Sequence, residues 1–168
     1  MKRILLLLLV CLPLLASGQN RRIRMANEET AAWRYELESI SVGNMPGTIV
    51  VKVWSYSKKP NVAAEQAKKN AVHGAVFKGI PARDRVPGKQ PLVTDENAQA
   101  DFFDSFFADG GDYMRFVTLT NTGDLGGGDV LKISNKEYKV GVLVMLNYNQ
   151  LRSALEEKGI VRALNSGF

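Results

Sequence analysis

The sequence predicts an α+β fold: an antiparallel or mixed sheet with two to three helices packed mainly on one face. Three observations predict it. Two runs rich in alternating apolar residues flank a turn cluster at 43–47, an alanine-rich helical run follows at 62–78, and the last third alternates before a final helical run. Strands and helices come in segregated groups, in the order ββα, α, βββα, which favours α+β over a doubly wound parallel sheet.

In the first group, residues 33–42 put Tyr35 and Leu37 on one face and Glu36 and Glu38 on the other, the alternation of a half-buried strand. Gly43-Asn44-Met45-Pro46-Gly47 turns the chain. Residues 48–57 then alternate Ile49, Val51 and Val53 with Val50, Lys52 and Trp54, so the two runs pair most simply as an antiparallel hairpin. Asn61 after Pro60 is the expected N-cap of a helix over 62–78. Gly79 stops that helix, Ile80 folds back, and Pro81 prevents continuation. The expected contact stripe is Ala63, Ala67, Asn70 with Ala71, Gly74 and Phe77, small residues that let the axis approach a sheet closely. Ala75 is expected to lie away from it.

Residues 80–91 hold three prolines, a glycine and four charges, and read as a loop free to move or to touch a partner. A second helix is expected over 95–108, capped by Asp95, with Phe102, Phe103, Phe106 and Phe107 forming a wide apolar stripe. Asp109-Gly110-Gly111-Asp112 ends it. A strand over 113–121, a glycine-rich connection over 122–129, and a hairpin of 130–134 with 137–147 follow. Val140, Val142, Val144 and Leu146 face one way, and Leu143 and Met145 the other, as in a central strand. Residues 148–158 return to helix, with Leu151, Ala154 and Leu155 as the stripe and Gly159 as the stop.

The N-terminus reads as an export signal over 1–18. Lys2 and Arg3 precede an apolar run of 12 residues, 4–15, and the small residues Ala16-Ser17-Gly18 suit a signal peptidase. A permanent membrane helix needs about 20 apolar residues. Cys11 lies inside the apolar run after Val10, which is not a lipobox context, so cleavage after Gly18 leaves a mature chain without cysteine. Disulfides, thiolate catalysis and cysteine metal sites are then excluded together. Residues 19–32 form a basic tail, with Arg21, Arg22 and Arg24, and 33–168 a single domain. The chain has 22 basic and 17 acidic residues; without Lys2 and Arg3 the balance is 20 to 17, a net of +3. No nucleic-acid partner is expected of an exported chain with that balance, and membrane contact is at most peripheral.

The catalytic inventory is thin. His73 is the single histidine and is expected as an ordinary helix residue. Asp101, Asp104, Asp109 and Asp112 cluster around the phenylalanine helix, without the ligand alternation of a calcium loop. Asp124 and Asp129 bracket a glycine run that lacks the lysine and strand-to-helix setting of a phosphate loop. No catalytic residue, cofactor site or metal site is therefore expected. Candidate partner-binding residues are Phe102, Phe103, Phe106 and Phe107, if exposed, and Trp54 with Tyr56 beside Lys52; core packing is the competing expectation for both groups.

The run Val50-Val51-Lys52-Val53-Trp54-Ser55-Tyr56-Ser57, followed by the alanine-rich helix with its Ala67, Asn70, Ala71 spacing, resembles a small α+β domain of outer-membrane-associated lipoproteins. A similar domain forms the N-terminal part of a flagellar ring protein. The resemblance covers about half of the mature chain and extends to the strand at 137–147 that runs straight into a helix. It departs from that pattern in lacking a lipobox and in inserting the phenylalanine helix and glycine run. What the resemblance implies is a non-catalytic, envelope-associated domain that docks to larger assemblies. The expectation is thus an exported, non-catalytic bacterial envelope protein, periplasmic or secreted, that acts by protein–protein contact in an outer-membrane or secretion-type assembly, with another envelope protein or a second copy as its partner. The competing expectation is a periplasmic hydrolase or carbohydrate-binding protein with a site between Trp54 and the 80–91 loop.

Overall fold

The computed structural model describes residues 33–120, 129–135 and 137–162, together with 21, 24–26 and 28. The expected signal peptide and the glycine run at 122–128 lie outside the described residues. Within the expected basic tail, Arg21 and Arg24 are exposed, while Ala26 is buried.

Five strands form one sheet: β1 (Tyr35–Val42), β2 (Thr48–Ser57), β3 (Val117–Leu119), β4 (Val130–Ser134) and β5 (Glu137–Asn147). All pairings are antiparallel, in the order β1-β2-β5-β3, with β4 also on β5. β5 pairs with β2 from Tyr138 to Asn147, while β4 and β3 share its other edge, one at each end. This is the expected α+β sheet with β5 central. The alternation in β2 is strict: Ile49, Val51, Val53, Ser55 and Ser57 are buried, and the residues between Val50 and Tyr56 that alternate with them are half-exposed.

The main helix α1 (Pro60–His73) begins two residues earlier than expected. Lys59, not Asn61, is the N-cap, and Pro60 takes the first helical position, where its fixed φ and missing N–H carry no cost. Ala63, Ala67 and Ala71 have no exposed surface and pack on β2 and β5. At Gly74 a Cβ would run into Leu37 Cδ1, so the missing side chain leaves room for Leu37 of β1. The helix then widens into a π-helical turn, Gly74–Lys78. The Ala75 and Val76 carbonyls accept from Leu92 and Val93 at 3.3 and 2.8 Å. Ala75, expected to lie off the contact stripe, is buried as well. Gly79, at φ 78°, ends the turn as expected.

The second helix is much shorter than expected: α2 is Ala100–Phe106. Asp95 caps no helix; its Oδ1 accepts from Asn97 N at 2.9 Å and closes a local turn. The strand expected over 113–121 is also cut back. Tyr113 and Phe116, three apart, are both buried in a 3-10 turn, Asp112–Phe116, and only Val117–Leu119 joins the sheet. The 3-10 turn packs on α1 and α2, and Phe107, just after α2, meets His73 at the end of α1. The last helix, α3 (Tyr148–Glu157), is capped by Asn147 Oδ1 accepting from Gln150 N, buries Leu151 and Leu155, and stops before Gly159 at φ 70°.

Candidate docking surface and buried aromatic cluster

The face of the sheet opposite α1 carries Trp54 and Tyr56, and the pleat puts specific neighbours beside them. Trp54 pairs with Glu36 on one side and Gly141 on the other, and Tyr56 pairs with Lys139. A Cβ at Gly141 would lie 2.7 Å from Lys52 Cε and 2.9 Å from Trp54 Cζ3, so the indole lies down over the bare backbone of Gly141.

Polar groups around the two rings are paired with one another. Trp54 Nε1 donates to Glu38 Oε1 at 2.7 Å, and the Tyr56 hydroxyl donates to Glu36 Oε1 at 2.6 Å. Lys139 Nζ donates to both oxygens of Glu36 at 2.9 and 2.8 Å, Lys52 pairs with Asp129, and Arg34 pairs with Glu137 at 3.0 Å. The Lys139 and Tyr56 hydrogen bonds hold the Glu36 carboxyl below its ordinary pKa, and the same contact with Glu36 raises Tyr56 and Lys139. Lys52 and Lys139 sit 4.7 and 5.2 Å from the Trp54 ring centroid, and the Arg34 guanidinium 3.9 Å from that of Tyr56. Such cation–π contacts stabilise by about 0.5–1 kcal/mol at exposed sites.

Further along the same face the surface becomes apolar. Val50, Leu143 and Met145 are half-exposed in register, and Ile40, at the bulge in β1, is 40% exposed. Leu131 is 48% exposed opposite Lys139. The face therefore has an apolar half and a charged, aromatic half.

The phenylalanine helix is placed differently. Phe103, Phe106 and Phe107 are buried at 5, 5 and 6% exposure, and Phe102 is half-buried. Burial removes the first three as surface anchors; they pack instead on one another, and Phe107 reaches the one histidine. His73, 2% exposed, stacks on Trp33 with ring centroids 3.5 Å apart and lies within 5.7 Å of Phe107 and 4.9 Å of Phe77. Its Nδ1 shares a hydrogen bond of 2.7 Å with the Tyr35 hydroxyl. The phenol is the more acidic partner, so we assign it as the donor and place the imidazole proton on Nε2. Burial, with Lys78 and Lys69 adding to it, pushes the His73 pKa down to about 3, and burial raises Tyr35 well above its usual value. Stacking and the phenol thus hold the imidazole neutral and fixed in place.

Two hollows adjoin these elements. One, of about 320 Å³, opens beside His73 between Trp33, Lys69, Phe103 and Asp104. Burial lowers the Lys69 pKa, with Asp109 acting against it. The other, of about 590 Å³, runs between β1 and the 80–91 segment, floored by Tyr35 and Leu37. Trp54 does not line it. The indole and the segment meet only through Glu38, which takes Arg83 Nη1 on Oε2 at 2.7 Å. Asp101, Asp104, Asp109 and Asp112 are all exposed, and among the described residues no group of histidine, cysteine and carboxylate side chains could hold a metal ion.

Together the fold and its surfaces define a helix-backed α+β domain with one sheet face left half-exposed among the described residues. In comparisons with known proteins, no family model, no curated protein and no solved structure matches the chain. Among the described residues no helix is long and apolar enough to cross a membrane.

Proposed function

We propose that this chain is an exported bacterial envelope protein that acts by protein–protein contact, docking a partner of the envelope on the open face of its sheet. The observation that carries this reading is the contrast between the two sheet faces. One buries its valines, while the other leaves Val50, Leu143, Met145, Trp54 and Tyr56 half-exposed on neighbouring strands. Half-exposed apolar residues framed by ion pairs are the make-up of a contact surface with an apolar centre and a polar rim. The lipoprotein-like resemblance of β2 and α1 and the signal-like residues 1–18 support the envelope setting.

A sugar ligand suits this face less well. Stacking a sugar needs an open ring face, whereas Lys52 and Lys139 approach Trp54 and Arg34 approaches Tyr56. The test is chemical crosslinking in intact cells followed by mass spectrometry, comparing the natural chain with Leu143→Asp and Met145→Asp. One envelope protein captured by the natural chain and lost from both variants supports the reading; capture unchanged by the variants overturns it.

A further inference from the structure

The segment after α1 is not a loose loop. Ile80 and Lys89 exchange backbone hydrogen bonds at 2.8 and 2.9 Å, and Arg83 and Val86 exchange another pair at 3.1 and 2.8 Å. The result is a short hairpin arm with Asp84, at φ 50°, near its tip. Two contacts fasten it to β1: Ser39 Oγ donates to the Pro81 carbonyl, and Arg83 pairs with Glu38. Between the fastening and the arm lies the 590 Å³ groove, bounded by Tyr35, Leu37, Lys78, Ile80, Lys89 and Pro91.

Charge and shape in this groove point the same way. From Lys78 to Pro91 the chain carries Lys78, Arg83, Arg85 and Lys89 against one carboxylate, Asp84. Arg83 is engaged by Glu38 and Asp84, but Arg85 and Lys89 have no ion pair among the described residues. Lys78 donates to the Trp33 carbonyl and lies 4.0 Å from the Tyr35 ring, which fixes its charge at the groove wall. Tyr35 and Leu37, which form its floor, belong to β1, and among the described residues β1 pairs with no strand other than β2. An edge strand is a template for an extended peptide.

We infer that the groove between β1 and the arm takes an extended acidic peptide segment of a partner protein, with an apolar side chain against Tyr35 and Leu37 and carboxylates against Lys78 and Lys89, while Arg85 at the arm tip adds attraction from outside the groove. This is a second surface, on the other side of the β1 edge from Trp54, so its failure leaves the reading of the open sheet face standing.

Fluorescence anisotropy with the purified protein tests it, using a labelled octapeptide of alternating glutamate and valine as the probe. The same peptide with glutamine for glutamate, and phosphatidylglycerol vesicles, serve as comparisons. The expected result is saturable binding of the acidic peptide that weakens as salt rises. Arg85→Glu with Lys89→Glu should weaken it about tenfold or more, and the milder Arg85→Gln with Lys89→Gln should weaken it less. Both pairs of changes are on the arm surface, and an unchanged melting temperature separates lost binding from lost fold. Equal binding of the glutamine peptide, no binding of the acidic peptide at millimolar concentration, or binding of vesicles alone would overturn the proposal.

Discussion

Trp54 donates its indole N–H to Glu38 across the first hairpin at 2.7 Å, and Glu38 spends its second oxygen on Arg83 of the hairpin arm. One carboxylate thus ties the aromatic half of the open face to the arm beyond the sheet edge. Glu38→Ala is expected to loosen both. On a Trp33→Phe background, Trp54 fluorescence should become easier to quench with acrylamide. Stability should fall by no more than about 1 kcal/mol, because these partners are partly exposed. Unchanged quenching would show that the bond does not hold the ring.

Gly141 should control the same indole from below. A Cβ there meets the ends of the Lys52 and Trp54 side chains and not backbone, so Gly141→Val should displace the ring while the sheet still forms. Near-ultraviolet circular dichroism is expected to change in the tryptophan region with the far-ultraviolet spectrum retained. A spectrum superimposable on that of the natural chain would contradict this packing.

His73 gives the fold a defined acid response. Its pKa is about 3 in the folded chain and 6.5 when unfolded. Between those values the unfolded chain binds the extra proton, so stability is complete above pH 6.5 and falls as pH drops towards 3. The slope from this one group approaches 1.4 kcal/mol per pH unit within that window. In the double variant His73→Phe with Tyr35→Phe, which removes the histidine without orphaning the phenol, urea melts at pH 4 and pH 7 should lie closer together than in the natural chain. An unchanged gap would assign the acid response to other groups.

Much of this architecture is legible in the sequence because it rests on period-two alternation and on glycine and proline stops. The bounds of β2, the β4–β5 hairpin and the ends at Gly79 and Gly159 all follow from such local signals. The surroundings of His73 do not. It reads as an ordinary helix residue, yet it is buried, because Trp33 and Tyr35 from before the helix and Phe107 from much later in the chain close around it. On the open face, Trp54 and Tyr56 are visible in the sequence, but their partners are not. Glu36 and Lys139 lie 103 residues apart, and only Gly141, a lone glycine in a valine-rich strand, signals that another group approaches the backbone closely.

The small-residue stripe of α1 should tolerate no enlargement. Ala71 has no exposed surface against the sheet, so Ala71→Leu should cost about 1–3 kcal/mol or more by overpacking. Chemical denaturation reads this directly. A loss below about 0.5 kcal/mol would mean that α1 can lift off the sheet without penalty.

The central claim, that the open sheet face is where a partner docks, is tested most directly by a photo-crosslinking amino acid placed at single positions in intact cells. Val50 and Leu143 report on the open face, and exposed Glu157, at the end of α3, reports on the surface away from it. The account predicts one and the same crosslinked envelope protein from Val50 and Leu143 and none from Glu157. Crosslinks from Glu157 with none from Val50 or Leu143 would contradict it.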